Sequence, residues 1–400
     1  MIRDNVLIGK NDVLFLYQGG QEQFNYLLGT KTVNKHSIEN YKDNMISRVS
    51  YSEANSIKYL HIIFPSKPII YNDCLPENFS SIYSLYLKYY KNDRFQDNVI
   101  YPYIELQNQS KKTFLKHDTH NNDYGYLMIT NHIIKSLGYN ICKIKYSIKN
   151  KQYLGDLATM LGGNPIDEEF MLPINKAKIF DNFDYIKGNT NNITLTFNKD
   201  AYYSKRVLIF GDSFIKGTLK FLSLYFKDIL YCRSQFFHQD IIQNYQPDIV
   251  LSAQAERYLS HIRSDLDANN FLFTLYGDKK YYPDKYFLRA FKANIGFKHY
   301  PKDYIKWENS LTINFKFEYN MLKNMSINWD AFYTDNNLKN TLEDPIEYYI
   351  KNWRYEDLKI NSIFSTKIYL QKHKDIRENE MNPLIHFYQY GLQEGRKAWD

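Results

Sequence analysis

Arg206-Val-Leu-Ile-Phe210 runs directly into Gly211-Asp212-Ser213-Phe214, and the reading of this join decides the fold. A short apolar strand stops at a glycine, and the serine behind it opens an amphipathic helix expected over 215–226. Such a join presents a hydroxyl at a helix N-terminus, where unpaired backbone N–H groups and the helix dipole favour a developing oxyanion. Working outward, Ile229-Leu-Tyr231 reads as the next strand, 240–245 as a helix and Pro247-Asp-Ile-Val-Leu251 as a further strand. Strands alternating with helices imply right-handed crossovers and a mainly parallel sheet. Ligands on such sheets sit beyond the carboxyl ends of the strands. Ser213 falls there, and so does Glu256-Arg257-Tyr258.

Upstream, Ile57-Lys-Tyr-Leu-His-Ile-Ile-Phe64 alternates and then turns fully apolar, as a strand entering a buried sheet does. Pro65-Ser-Lys67 ends it, and Pro68-Ile-Ile-Tyr71 reads as extended chain. Residues 78–91 carry helical spacing through Ile82, Leu85, Leu87 and Tyr90, and 124–137 reads as a helix stopped by Gly138. The polar and aromatic stretch from about 262 to 325 has no clear period and suits a cap on the sheet or a linker.

The last 75 residues or so hold an internal repeat. Asp344-Pro345-Ile-Glu-Tyr-Tyr349 aligns with Asn382-Pro383-Leu-Ile-His-Phe387, an offset of 38 residues (345 to 383). Trp329-Asp-Ala-Phe-Tyr333 matches Phe364 to Leu370, and Glu356-Asp-Leu-Lys359 falls opposite Glu394-Gly-Arg-Lys397. Each copy reads as two short helices with a proline starting the second. The expected organisation is an α/β domain over 1–262, a capping or linker region over 263–325, and a helical module over 326–400.

Four hundred residues suffice for two or three domains, and 44% hydrophobic with 24% charged residues is a soluble globular balance. Tyr at 38 and Phe at 26 reflect either a biased genome or aromatic surface for stacking on sugar rings. The net charge of +7 is spread out, with no Lys/Arg block of the nucleic-acid type. Cys74, Cys142 and Cys232 are too few and too scattered for a disulfide framework or a zinc site, and fit a reducing compartment. The first ten residues lack the apolar core of a signal peptide, and no apolar run approaches the roughly 18 residues of a membrane span. The chain therefore reads as cytoplasmic, at most peripheral to a membrane. No GxxxxGK[ST] loop or GxGxxG turn is present, and His and Cys show no metal-ligand spacing.

A serine becomes a nucleophile only with a base and an orienting acid beside it. Asp118-Thr119-His120 can supply both, because residues two apart in an extended segment point to the same side. In that arrangement Asp118 accepts from one imidazole nitrogen, His120 takes the Ser213 proton, and Ser213 attacks an acyl carbonyl. Each residue also has a plain alternative. Asp212 or Ser213 would cap the helix, Asp118 would cap one starting near Asn121, and His120 would be an ordinary core or surface histidine. Asp212 reads as a brace for the turn.

Residues 1–260 resemble the SGNH-hydrolase-like domain of the alginate O-acetyltransferase family, the AlgX/AlgJ type. The similarity lies in five blocks in order: Ile8 to Leu16; Phe64-Pro-Ser-Lys67 with Tyr71 to Pro76; Asp118-Thr-His120 with Gly125; Gly211-Asp-Ser-Phe214; and Pro247 to Val250 with Glu256 to Leu259. The resemblance implies a three-layer α/β sandwich with Ser213 as nucleophile, His120 as base and Asp118 as its partner. It implies acetyl transfer to a polysaccharide hydroxyl through an acetyl-serine. The chain departs from the family at Asn121, where the pattern has Trp. The Gly and Asn blocks that complete the oxyanion hole of ordinary SGNH esterases have no clear counterpart. The Ser213 backbone N–H is the one assigned donor, with Arg257, Asn121 and Tyr258 as candidates for oxyanion or substrate contact. The C-terminal copies resemble a helical unit appended to bacterial glycosyltransferases, through Asn382-Pro383-Leu384, His386-Phe387-Tyr388, Gly391 and Glu394-Gly395-Arg396.

The leading expectation is thus an O-acetyltransferase acting on a capsular or other surface polysaccharide. It would bind no resident cofactor or metal and would draw acetyl from a donor such as acetyl-CoA. Expected partners are the glycan acceptor and the donor, with self-association or contact with polysaccharide-synthesis enzymes left open. An acetyl-esterase using the same residues, or a non-catalytic glycan-binding protein, are the alternatives.

Overall fold

Residues 1–174, 177–181, 192–268, 315, 317–338, 344–354, 356–360, 363–379 and 381–399 are described by the computed structural model. They divide into two units, the first running through residue 268 and the second from residue 315. Most of the 263–325 segment expected as a cap or linker, residues 269–314, lies outside the described residues. Its first residues belong with the first unit. Asn40 and Asn44 on the helix Lys35–Ala54 donate to the Ile262 and Arg263 carbonyls, and Arg48 makes a two-pronged pair with Asp265.

The first unit opens with a small antiparallel sheet of β1 (Ile2–Arg3), β2 (Val6–Ile8) and β3 (Leu14–Leu16). Its centre is a seven-stranded sheet built from β4 (Lys58–Phe64), β5 (Val99–Ile100), β8 (Lys178–Asp181), β9 (Ile193–Phe197), β10 (Tyr203–Gly211), β11 (Phe226–Arg233) and β12 (Ile249–Ala255). The spatial order is β5-β4-β12-β10-β11-β9-β8. The five strands from β5 to β11 run parallel, and β9 and β8 continue antiparallel at one edge. Between β5 and β8 in sequence, β6 (Tyr146–Tyr153) and β7 (Ile166–Pro173) form a separate antiparallel ribbon. The expected α/β architecture with a mainly parallel sheet is the one observed. Continuous apolar runs in β4, β10 and β12 are buried on both faces, as a sheet covered by helices requires. The helix Asp123–Ser136 ends at Leu137, followed by Gly138 at a φ of +76°, as the sequence suggested.

Three local expectations are corrected. The helix after Ser213 is two pieces, Ser213–Lys216 and Leu219–Tyr225, and Phe226 already belongs to β11. The break falls at Gly217, where a Cβ would lie 2.1 Å from the Tyr126 ring, and Thr218 Oγ1 turns back onto the Ile215 carbonyl. Residues 67–70 are a helical turn and not extended chain, with Pro68 near its start and Tyr71 N–H bonded to the Lys67 carbonyl. Residues 78–91 hold no continuous helix: a tight 3-10 turn at Glu77–Phe79 gives way to irregular chain before a wide helical turn at Tyr86–Tyr90. There the buried Glu256 carboxylate accepts from Ser84 Oγ and the Tyr86 N–H, drawing that stretch out of a regular helical ladder.

In the second unit, Asp344 and Asn382 cap helices whose first residues are Pro345 and Pro383, the two prolines expected to start helices. Its core gathers Leu322, Phe332, Tyr349, Tyr369 and Phe387. Among the described residues no helix is long and apolar enough to cross a membrane.

Candidate active site

Ser213 follows β10 at the carboxyl edge of the sheet, and the preceding Asp212 is tied by three hydrogen bonds. Asp212 caps the short helix by accepting from Phe214 N–H at 2.9 Å, and its second oxygen accepts from the Ala255 N–H at 2.7 Å, tying the turn to the end of β12. The Tyr231 hydroxyl donates to the Asp212 carbonyl at 2.9 Å. Asp212 is thus the brace the sequence suggested. The helix is a single turn, so the dipole contribution expected from a long helix gives way to local N–H groups.

His120, 93 residues earlier, places Nε2 at 2.9 Å from Ser213 Oγ, and its Nδ1 lies 2.7 Å from Asp118 Oδ1. An ionised carboxylate only accepts, so Nδ1 carries the proton and Nε2 is left to accept from the serine hydroxyl. The segment is not extended as expected. Asp118 Oδ1 also accepts from the His120 backbone N–H at 2.9 Å, and this tight turn, rather than strand alternation, puts the two side chains together.

Asp118 is 2% exposed, and its other oxygen accepts from the Tyr153 hydroxyl at 2.8 Å and the Asp156 N–H at 3.0 Å. Burial works to raise its pKa. The hydrogen bond and charge of His120, with the backbone donors, outweigh burial and hold the carboxyl well below the usual range. Asp156 in turn accepts from the Thr119 N–H and hydroxyl, with one oxygen 3.7 Å from His120 Nδ1. Burial and then the Asp118 charge raise the Asp156 pKa. Ligand atoms of Asp118, His120 and Asp156 all lie within 4.8 Å of one another, a spacing a cation could use. Both Asp118 oxygens are already filled by N–H and O–H donors, the pattern of a carboxylate that orients a histidine.

The Phe214 ring lies against His120 with centroids 4.6 Å apart, and the Arg257 guanidinium sits 5.0 Å from that ring and 5.1 Å from Tyr258. Arg257 Nε is buried without a hydrogen-bond partner among the described residues. It borders a cavity of about 20 Å³ shared with Phe214, Thr119, Lys67, Ser66 and Gln23. Asn121, expected as a contact residue, is 1% exposed and spends its amide on the Thr113 carbonyl, so it belongs to the framework. Sequence reasoning gave no site role to Tyr153 or Asp156, and named Lys67 only within the block Phe64-Pro-Ser-Lys67. Nothing in their spacing marks them, since they reach Asp118 from the end of β6, a short helix and the helical turn after β4.

No family model matches the chain, and no curated protein matches it. Among solved structures it is similar to PatB1 from Bacillus cereus, at 16% identity and a TM-score of 0.46, covering 64% of this chain and 96% of that one. It is also similar to a DHHW family protein from Eubacterium siraeum, at 14% identity and a TM-score of 0.44 over 65% and 93% of the two chains. The O-acetyltransferase domain of AlgJ from Pseudomonas putida follows at 13% identity and a TM-score of 0.41 over 66% and 95%.

Proposed function

We propose that the protein is a serine-dependent O-acetyltransferase that moves acetyl onto hydroxyls of a bacterial capsular or other surface polysaccharide. The observation that carries this reading is the hydrogen-bonded line from Asp118 Oδ1 through His120 to Ser213 Oγ, at 2.7 and 2.9 Å. The acceptor class rests on the order of sequence blocks that resemble the alginate O-acetyltransferase family.

In the first half-reaction His120 Nε2 takes the Ser213 proton as Oγ bonds to the acetyl carbonyl carbon of the donor, a thioester such as acetyl-CoA. The carbonyl oxygen becomes an oxyanion facing the Ser213 N–H, and the Arg257 guanidinium, 5.0 Å from the Phe214 ring, would be the second group to meet negative charge. Collapse breaks the carbonyl–sulfur bond, and the His120 proton leaves with the thiolate. In the second half-reaction a sugar hydroxyl gives its proton to His120 and takes the acetyl group, regenerating Ser213. Asp118, kept ionised, stabilises the imidazolium in both halves.

The experiment supplies acetyl-CoA and an oligosaccharide acceptor and follows acetylated sugar and free acetate by mass spectrometry. Acetylated sugar from the wild type and none from Ser213→Ala is the expected result. Free acetate without acetylated sugar would assign an esterase, and equal activity in Ser213→Ala would end the proposal.

A further inference from the structure

Lys67 follows β4 and opens the helical turn Lys67–Ile70. Its side chain is buried, and its ammonium donates to the carbonyls of Leu115, Lys116 and Asp118 at 2.7, 2.9 and 2.9 Å. An ammonium has three protons and accepts nothing, so every donor is committed, and all to the one segment that leads into Asp118. No carboxylate oxygen makes an ion pair with it among the described residues. A buried charge of this kind is tolerable only where its hydrogen bonds are complete. Completeness here depends on the shape of residues 115–118. The preceding residue is itself held, because Ser66 N–H donates to the buried Glu256 carboxylate at 2.9 Å.

We propose that Lys67 is a positioning residue for Ser213 chemistry: its ammonium clamps residues 115–118 and so sets Asp118 to hold His120 toward the serine. The inference rests on the acetyl-transfer reading above. The clamp is also sensitive to pH. Burial brings the Lys67 pKa down to about 7, against the raising influence of the Asp118, Asp156 and Glu168 carboxylates and the Cys74 thiol. Arg257 borders the same cavity and the Phe15 ring lies 5.7 Å from the ammonium. Loss of a proton removes one of the three donors, so acylation declines on the alkaline side.

The test uses the full chain with 4-nitrophenyl acetate as acetyl donor, reading the pre-steady-state release of nitrophenolate across the neutral and alkaline range. A second readout is the low-field proton resonance of the His120 Nδ1–H···Asp118 bond. Lys67→Met is expected to lower the acylation rate about 10- to 100-fold with little change in KM, the usual cost of a misplaced catalytic group, and to shift or abolish the resonance. Lys67→Arg, which stays charged, is expected to keep the resonance and lose the alkaline decline. Wild-type rate and resonance in Lys67→Met overturn the proposal. Should that variant fail to fold, Lys67→Gln, which cannot supply three donors, takes its place with the same expected and overturning outcomes. Nitrophenolate release by Ser213→Ala equal to wild type ends the acetyl-transfer reading instead, and the resonance in Lys67→Met then decides the clamp alone.

Discussion

The Tyr153 hydroxyl donates at 2.8 Å to the Asp118 oxygen that His120 leaves unused. The acid of the proposed triad is therefore held from both sides, by the imidazole and turn on one oxygen and by the end of β6 on the other. A carboxylate filled in this way cannot swing, and the histidine bound to it has one orientation. That orientation points Nε2 at Ser213.

Tyr153→Phe removes one donor and little volume. The variant is expected to lose about 1 kcal/mol of stability, the net worth of a typical hydrogen bond, and to acylate several-fold more slowly. Denaturant unfolding and the nitrophenolate burst measure the two effects. An unchanged burst rate would show that the Asp156 N–H alone holds the second oxygen.

Gly155 packs directly behind the acid. A Cβ there would lie 2.1 Å from the His117 carbonyl oxygen and 3.1 Å from the Asp118 Cβ, and neither backbone nor Cβ can turn aside. Gly155→Ala is expected to cost about 1–3 kcal/mol, as overpacking does, and to reduce acylation by displacing Asp118. Gly20→Ala, with nothing within 4 Å, is the control and should leave both unchanged. Thermal melts and burst rates on the pair decide it.

Asp212 serves structure with both oxygens, capping Phe214 and tying the Ala255 N–H. Asp212→Ala is expected to cost about 1–2 kcal/mol, as loss of a helix cap does, and to slow acylation through the loosened serine. A melting temperature equal to wild type would refute the bracing role.

His61 lies buried in β4 with Nδ1 2.7 Å from Ser252 Oγ, and burial, then the Arg48 charge, brings its pKa down to about 3. The folded protein keeps this imidazole neutral, whereas the unfolded chain takes a proton below about pH 6.5. The unfolded state thus binds more protons across the window between those values. Stability therefore rises with pH there and is lost as pH falls, by up to about 1.4 kcal/mol per pH unit. His61→Gln should flatten that acid-side slope in denaturant titrations at two or three pH values. An equally steep slope in the variant would assign it to other groups.

Strands β4, β10 and β12 were legible because a buried parallel strand is a continuous apolar run, a pattern carried by neighbouring residues alone. The helix starts at Pro345 and Pro383 were legible for the same reason, since proline at the first turn is local chemistry. The stretch 78–91 misled because its apolar spacing is helical while its hydrogen bonds go to Glu256, about 170 residues away along the chain.

By itself, then, the sequence determined the alternation of strands and helices, the hydroxyl at the end of β10, and an acid and an imidazole two residues apart. Tertiary structure alone decided that His120 reaches Ser213 across 93 residues, and that Tyr153, Asp156 and Lys67 converge on Asp118. Periodicity and capping act over a few residues and leave their mark in the local order of side chains. A hydrogen bond acts over about 3 Å of space, and which distant residues come within that reach is settled only when the sheet has assembled.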